Sequence, residues 1–327
     1  MSERRTLAQA VSTVLTNGYI KGFVTGNIYT GPLKHVCVPT LNCYSCPGAL
    51  FACPVGAAQV ILAGGGGFDP TAPQTIWTKL SGILSGTPVF VIGFLTLLAA
   101  FVGRASCGWA CPFGLVQDLV YRIPVPFKKR GGGPNILYYL KYLMLLVMVV
   151  LMPLLVVDRF GFSEPFFCKL VCPAGTLEGG VLLPLLQPDL RGMLGRLFAW
   201  KTFLLLTFLA LMTMFKRPFC NWACPLGAWL GPFNQVSLYR LKIDRERCCN
   251  CGLCTRACPS GLDVENELDS ADCIRCLECV NVCPRTAILV KGPGFRKTRS
   301  DAVRPGPAEE RTDPRAAPDS ARPGHLP

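Results

Sequence analysis

Histidine is nearly absent from this chain of 327 residues, which carries only His35 and His325. That is too little for a membrane haem held between histidines, and no Cys-x-x-Cys-His sequence is present for a covalent c-type haem. The glycine runs 64–67 and 131–133 do not fit Gly-x-Gly-x-x-Gly, so they predict turns rather than a nucleotide-binding loop. The chain therefore lacks the common motifs for haem and for nucleotide cofactors.

Charged residues are also scarce: they make up 16% of the chain, against 50% hydrophobic residues and a mean hydropathy of +0.38. A soluble ferredoxin does not have this balance, and long uncharged stretches predict an integral membrane protein with a soluble redox part. The net charge of +13 resides in basic residues that cluster beside those stretches. This distribution fits the positive-inside bias of membrane proteins, and no nucleic-acid partner is predicted.

Four apolar segments are predicted to be transmembrane helices, because each is long enough to cross roughly 30 Å of hydrocarbon. The first is the weakest, since Asn17 and Lys21 interrupt it. In the third, Lys141 lies near one end, where its side chain is expected to reach the interface. Lysine and arginine counts in the loops place both termini in the cytoplasm of a multi-pass inner-membrane protein. The predicted spans are 7–26, 83–102, 136–157 and 197–215.

Cysteine, in contrast, is abundant, with 19 residues. Eight of them near the C-terminus repeat the spacing C-x2-C-x2-C-x3-C-P, the ligand pattern of a bacterial ferredoxin with two 4Fe-4S clusters. A zinc site would more often show two separated C-x2-C pairs. In the ferredoxin arrangement the fourth cysteine of each run completes the other cluster, and Cys249 has no place in either run. The predicted ligands are Cys248, Cys251, Cys254 and Cys283 for one cluster, and Cys258, Cys273, Cys276 and Cys279 for the other.

A second cysteine pattern, C-x3-C-P-x-G, follows two of the predicted spans. Two cysteines four apart share one face of a helical turn, so two such pairs must combine to hold a cubane. Arg104 and Arg217 each stand three residues before the first cysteine and would offset the negative charge of a cluster. The alternative is that these cysteines are small buried residues at helix ends. The four predicted ligands, called the inner site below, are Cys107, Cys111, Cys220 and Cys224.

Six further cysteines fall on the opposite predicted side of the membrane, and any four of them could hold another cluster. Two of them form a third, looser C-x3-C-P-x-G copy, and four lie near the N-terminus. Trp109 and Trp222 occupy matching positions of the repeats and are predicted to anchor the chain at the membrane interface. The six cysteines, called the outer group below, are Cys37, Cys43, Cys46, Cys53, Cys168 and Cys172.

The combination of spans, C-x3-C-P repeats and a two-cluster ferredoxin run resembles the membrane polyferredoxins of the NapH, NosR and CcoG kind, over about residues 80–290. The most specific shared feature is C-x-W-A-C-P after a predicted span. The resemblance implies transfer of electrons between the quinone pool, or another donor, and partner reductases. The chain departs from these relatives in the cysteines of the outer group, and it shows neither a large flavin-binding domain nor a β-sandwich.

The sequence thus predicts an all-α polytopic membrane domain of about four transmembrane helices with re-entrant cysteine loops, together with a small α+β ferredoxin-like domain that holds two clusters. The expected domains are 1–239, 240–292 and a disordered tail over 293–327, which is too polar to bury a core. Besides the two ferredoxin clusters, one or two more 4Fe-4S clusters are expected.

The expected function is electron transfer between a cytoplasmic donor or acceptor, or the quinone pool, and a partner redox protein. Such a chain would be a subunit similar to a quinol dehydrogenase, with the lipid bilayer, redox proteins and quinone as its partners. Two alternatives stay open. One is a membrane-bound metal-ion or disulfide reductase that helps to assemble another redox enzyme, and the other is a redox sensor.

Overall fold

The computed structural model describes residues 3–65, 87–128, 136–156 and 163–292. Several parts of the predictions lie outside these ranges: the start of the second span (83–86), the last residue of the third (157), the glycines at 66–67 and 131–133, and the tail from 293 onward.

The described chain is mostly helical, with one small sheet. Wider, π-type turns continue α3 over Ile61–Gly65 and form the middle of α7 (Met144–Leu151) and of α9 (Thr176–Val181). Strands β1 (Arg240–Ile243) and β2 (Ile288–Lys291) pair antiparallel. Short 3-10 turns cover Pro32–His35, Pro188–Met193 and Pro232–Gln235. The helices are α1 (Glu3–Thr16), α2 (Ile20–Thr25), α3 (Pro54–Val60), α4 (Thr87–Val102), α5 (Ala105–Trp109), α6 (Pro112–Val120), α7 (Leu137–Leu155), α8 (Phe166–Leu170), α9 (173–186), α10 (Arg196–Met214), α11 (Pro218–Trp222), α12 (Pro225–Leu230), α13 (Leu253–Ala257) and α14 (Glu278–Val282).

Two of the four predicted spans are present as helices long and apolar enough to cross a membrane. Among the described residues these are α7 and α10, each of 19 residues. Helix α4 matches the second prediction, but only 16 residues of it are described. The first predicted span is wrong as a single helix. It breaks between α1 and α2, where the Tyr19 amide donates to Gly48 O (3.1 Å) instead of to the preceding turn. The count of four spans is therefore not confirmed.

Four of the described helices begin in the same way, at the proline of a Cys-Pro pair. These are α3, α6, α9 and α12, which follow Cys53, Cys111, Cys172 and Cys224. In each case the cysteine precedes the first turn with ψ between 107° and 128°. Proline suits the first helical position, because its φ is already helical and its missing N–H would have no partner there. The repeated Cys-Pro pair therefore positions four thiols at four helix starts.

The ferredoxin-like part packs closely against the helical part. The Asn234 side chain donates to Ser270 O (2.9 Å) and Cys273 O (2.8 Å), and Tyr138 on α7 donates to Ser260 O (2.7 Å). Lys141, also on α7, forms an ion pair with Asp272 and is fully buried. The expectation that Lys141 reaches the membrane interface is therefore wrong, because a buried ammonium group needs a partner and finds it in the ferredoxin-like part.

Candidate iron-sulfur sites

The eight ferredoxin cysteines line two separate cavities. One is lined by Cys258 together with the first three cysteines of the second run, and the other by Cys283 with the first three of the first run. The structure thus brings together the two sets that the spacing predicted, including the exchange of the fourth cysteines. The exposed Cys249 also lines the cavity formed by the first run and Cys283.

Left-handed residues wrap each run around its cavity. Asn250 (φ 50°) and Gly252 (φ 66°) occupy the same positions in the first run as Arg275 (φ 49°) and Leu277 (φ 62°) in the second. Such residues turn successive backbone N–H groups toward one side, which suits an anionic group such as a cluster with its thiolates. The equal backbone pattern shows that both runs form the same loop.

The four cysteines of the inner site lie at the starts of α6 and α12 and in the short helices α5 and α11, and all are buried. The two arginines that precede the repeats hold them together by reciprocal hydrogen bonds. Arg104 donates from Nη2 to Cys220 O, and Arg217 donates from Nη1 to Cys107 O, both at 2.8 Å. Each arginine therefore fixes the cysteine segment of the other repeat, in addition to placing positive charge beside the thiols.

The thiols of the inner site lie within electrostatic reach of one another. Burial raises the pKa of Cys224 well above its usual value, and the neighbouring thiols of Cys220, Cys107 and Cys111 raise it further. Within the described ranges no three cysteine, histidine or acidic side chains converge tightly enough for a single metal ion.

Two polar residues of this region were missed by the sequence analysis. Gln117 donates from Nε2 to Cys220 Sγ (2.9 Å), and Asp118 accepts from Arg217 Nε (3.0 Å) and from Arg5 Nη2 (3.0 Å). Burial alone would raise the pKa of Asp118, but Arg217 and Arg5 outweigh it and hold the pKa below its usual range. The ionised Asp118 thus joins α1 to the inner site.

The inner site touches the second ferredoxin run directly. A Cβ on Gly108 would lie 2.4 Å from Ile274 O, so only glycine permits this approach of the two backbones. The Trp109 ring donates to Arg275 O (3.0 Å), and Trp222 is buried against Phe215, with ring centroids 5.1 Å apart. Trp222 is thus buried within the protein and does not face an interface, while Trp109 is half-buried against the second ferredoxin run.

We predict that Gly108→Ala separates the two loops and costs about 1–3 kcal/mol, because the added methyl group overlaps backbone that cannot rotate away. The melting temperature should fall, and the magnetic coupling between reduced clusters seen by electron paramagnetic resonance (EPR) should weaken. Gly93→Ala is the matched control, since a Cβ there meets nothing within 4 Å. Unchanged coupling and stability in Gly108→Ala would show that the loops are not in contact.

Five of the six outer cysteines line one cavity of about 790 Å³, and the exception is the buried Cys46. Apolar side chains such as Val60 and Val91 form much of its wall. Lys201, near the start of α10, lies at the cavity and donates to Cys168 O (3.2 Å). The outer group comes from two chain segments, 37–53 and 168–172. They are far apart in sequence but meet at this cavity.

The outer group and the inner site are neighbours in one buried core. Burial raises the pKa of Cys111, and the amide of Leu41, which lies against the same thiol, opposes that rise. Burial likewise raises the pKa of Cys53 in the outer group. The backbone amide of Asn42, the residue after Leu41, is among the groups that oppose this rise. The prediction that the two groups lie on opposite sides of the membrane is therefore wrong, because Leu41 of segment 36–53 lies against Cys111 of the inner site.

Comparison with known proteins fits this arrangement of cysteines. A model described as a 4Fe-4S binding domain matches residues 85–131, 142–184 and 197–245, each of which contains one C-x3-C-P repeat. A 4Fe-4S dicluster domain matches residues 240–284. No solved structure matches the chain.

Three relatives show how far the similarity extends. The uncharacterized proteins MJ0749 and MJ0750 of Methanocaldococcus jannaschii are 31% and 30% identical; the alignments cover 66% and 59% of this chain, and 83% and 74% of theirs. The ferredoxin-type protein NapH of Haemophilus influenzae is 28% identical over 58% of this chain and 63% of its own.

A mostly helical chain with these domains and cysteines is an iron-sulfur electron-transfer protein that binds 4Fe-4S clusters. It belongs to the membrane-associated polyferredoxin group that includes the NapH, NosR and MauN proteins.

Proposed function

We propose that the protein is a membrane electron conduit whose cysteine groups form one continuous series. The observation that carries this proposal is contact between successive groups. The two ferredoxin cavities share one small domain, and Gly108 joins the cavity of Cys258 and the second run to the inner site. Leu41 and Asn42 join the inner site to the outer group. Bound 4Fe-4S clusters accept and donate single electrons. The proposed ligands are the eight ferredoxin cysteines, the inner site and cysteines of the outer group.

The protein keeps charges near these sites balanced. Arg217 and Arg104 lie beside the inner thiols, and Arg217 also lies within electrostatic range of Cys276 in the second ferredoxin run. Both arginines are buried and hydrogen-bonded, so they provide fixed positive charge between the inner site and the ferredoxin-like domain. Fixed charge and hydrogen bonds near a cluster are what set its reduction potential.

The proposed membrane integration rests on the exposed faces of the long helices. A core helix of a soluble protein buries its apolar side, whereas α7 and α10 leave most of theirs exposed, at residues such as Leu146 and Phe203. Large exposed apolar surfaces mark a binding partner, and on 19-residue helices of about 28 Å that partner is a lipid bilayer. The domain bounds 1–239 and 240–292, with the ferredoxin-like domain in the cytoplasm, are part of the proposal.

The apolar wall of the outer cavity makes it the best candidate within the described residues for exchange with a quinone. Quinone and a soluble redox protein are thus the proposed partners at the two ends of the series. No contact of the described residues specifically favours the reductase or the sensor over the conduit.

The first test is iron and acid-labile sulfide per chain on anaerobically purified protein, compared with a variant that carries both Cys107→Ser and Cys220→Ser. About twelve to sixteen irons, with a loss of roughly four in the variant, are expected if the inner site holds one cluster. Cys249→Ser is the matched control and should change nothing, because this exposed thiol has no place in either run. About eight irons in both proteins would restrict the clusters to the ferredoxin-like domain and would end the conduit proposal.

A further inference from the structure

Building on the proposed function, we infer that the outer cluster is held by Cys43, Cys53, Cys168 and Cys172, and that Cys37 and Cys46 are not ligands. The basis is a construction rule of the inner site that the outer group repeats, although the sequence spacing hides it.

In the inner site, the helix that follows one Cys-Pro pair reaches back to the opposite cysteine segment. Gln117 lies six residues after Cys111, and its Nε2 donates to the Sγ of Cys220, the first cysteine of the other repeat (2.9 Å). In this direction the sixth residue after the Cys-Pro cysteine marks the first cysteine of the partner segment. In the other direction the equivalent position is Leu230, whose side chain has no hydrogen-bonding group.

The outer group follows this rule in both directions. Gln59 lies six residues after Cys53 and donates to Cys168 Sγ (3.3 Å). Glu178 lies six residues after Cys172 and accepts from the backbone N–H of Cys43 (2.6 Å). Cys43 therefore takes the place of a first cysteine, although it precedes its Cys-Pro partner by ten residues instead of four.

The glycines of the Cys-Pro-x-Gly turns support the same set. A Cβ on Gly175 would lie 3.6 Å from Cys43 Sγ and 3.7 Å from Cys172 Sγ, so these two thiols meet at one turn. At the equivalent Gly56, a Cβ would lie 3.8 Å from Cys168 Sγ and 4.0 Å from Cys53 Cβ. Each turn brings one thiol of one segment to one cysteine of the other, as a cluster shared by two segments requires.

The two excluded cysteines lie differently. Cys46 is not among the residues that line the outer cavity. Its thiol lies near Glu178 and Lys34 and accepts from the amides of Gly48 and Ala49. Cys37 lines the cavity, but its backbone is tied to Ala52 in a β-bridge and among the thiols it faces Cys53. Cys46 thus lies outside the cavity, and Cys37 lines it beside Cys53.

The four proposed ligands fit a 4Fe-4S cluster chemically. Gln59 donates to the thiol of Cys168, and the backbone N–H of Gly175 donates to the thiol of Cys172 (3.3 Å). Donors aimed at cysteine sulfur stabilise the more negative, reduced form of a cluster and so raise its reduction potential. Gln59 is therefore a positioning residue that is expected to tune the outer cluster.

The test compares single serine variants of the full chain, purified anaerobically, by iron and sulfide content and by EPR of the reduced protein. Cys43→Ser should lose about four irons and one EPR signal, while Cys37→Ser and Cys46→Ser keep both. Loss of iron in Cys37→Ser or Cys46→Ser, with Cys43→Ser intact, would overturn the assignment. An unchanged iron content in serine variants of all six outer cysteines would show that no outer cluster exists, which is distinct from failure of the inner site.

A second variant keeps the test decisive if Cys43→Ser does not fold. Gln59→Leu leaves all cysteines in place, so it should retain iron but shift the midpoint potential of one cluster to a more negative value. Gln117→Leu should shift a different EPR signal, that of the inner site. A Gln59→Leu protein with every potential unchanged would contradict the proposed hydrogen bond and the ligand set built on it.

Discussion

Asp118→Asn should destabilise the protein by about 3–5 kcal/mol, because it leaves two buried arginines without their shared carboxylate. Arg5 and Arg217 are each about 1% exposed, and Arg217 also fixes the inner site through Cys107 O. The variant should therefore lose iron from the inner site together with stability. The melting temperature is expected to fall by roughly 10 °C, and the iron content by about four per chain.

The pH dependence of stability distinguishes the buried Asp118 carboxylate from an exposed one. The pKa of Asp118 is held below its usual range, so its stabilising effect is fully present above the ordinary pKa of an aspartate and is lost only as the pH falls through the lowered value. The difference between wild type and variant should thus be constant between about pH 5 and 8. Asp189→Asn, at an exposed aspartate, is the control and should have no effect. Equal stability of Asp118→Asn and Asp189→Asn would contradict the network.

The grouping of the eight ferredoxin cysteines around two cavities could be predicted from sequence because it is local. Three cysteines of each cluster fall within seven residues, and the proline after the fourth marks the end of each run. The spacing therefore groups the eight cysteines as the two cavities do, including the exchange of Cys258 and Cys283.

The position of the outer group could not be predicted in this way. Segment 36–53 has no helical or strand periodicity, and its path depends on contacts with residues far along the chain, such as the bond from Cys43 N–H to Glu178. Lys141 was misplaced for the same reason, since its partner Asp272 is 131 residues away. Gln59 and Gln117, in contrast, carried a signal in the sequence: both stand at the end of C-P-x-G-x-x-Q. A comparison of the two Cys-Pro segments would have identified them as equivalent.

Asp272→Asn should loosen the ferredoxin-like domain from α7, with an expected cost of about 3–5 kcal/mol. Asp272 faces two cations at once: Lys141 pairs with it, and Arg104 Nη1 lies 3.5 Å from its Oδ1. Both cations are fully buried, so the neutral amide would leave two like charges facing each other without the carboxylate between them. Faster amide hydrogen exchange and faster proteolysis in the ferredoxin-like domain should report this loosening.

A double-mutant cycle separates the ion pair from other effects of the substitution. Asp272→Asn leaves the ammonium of Lys141 without its carboxylate, and Lys141→Met removes that ammonium. Adding Lys141→Met to Asp272→Asn should therefore recover part of the lost stability, so that the effects of the two changes are not additive. Asp269→Asn changes an exposed aspartate three residues away and should leave exchange and stability unchanged. Additive losses in the double variant would mean that Lys141 and Asp272 act separately. Contact between α7 and the ferredoxin-like domain would then depend on the hydrogen bond from Tyr138 to Ser260 O instead.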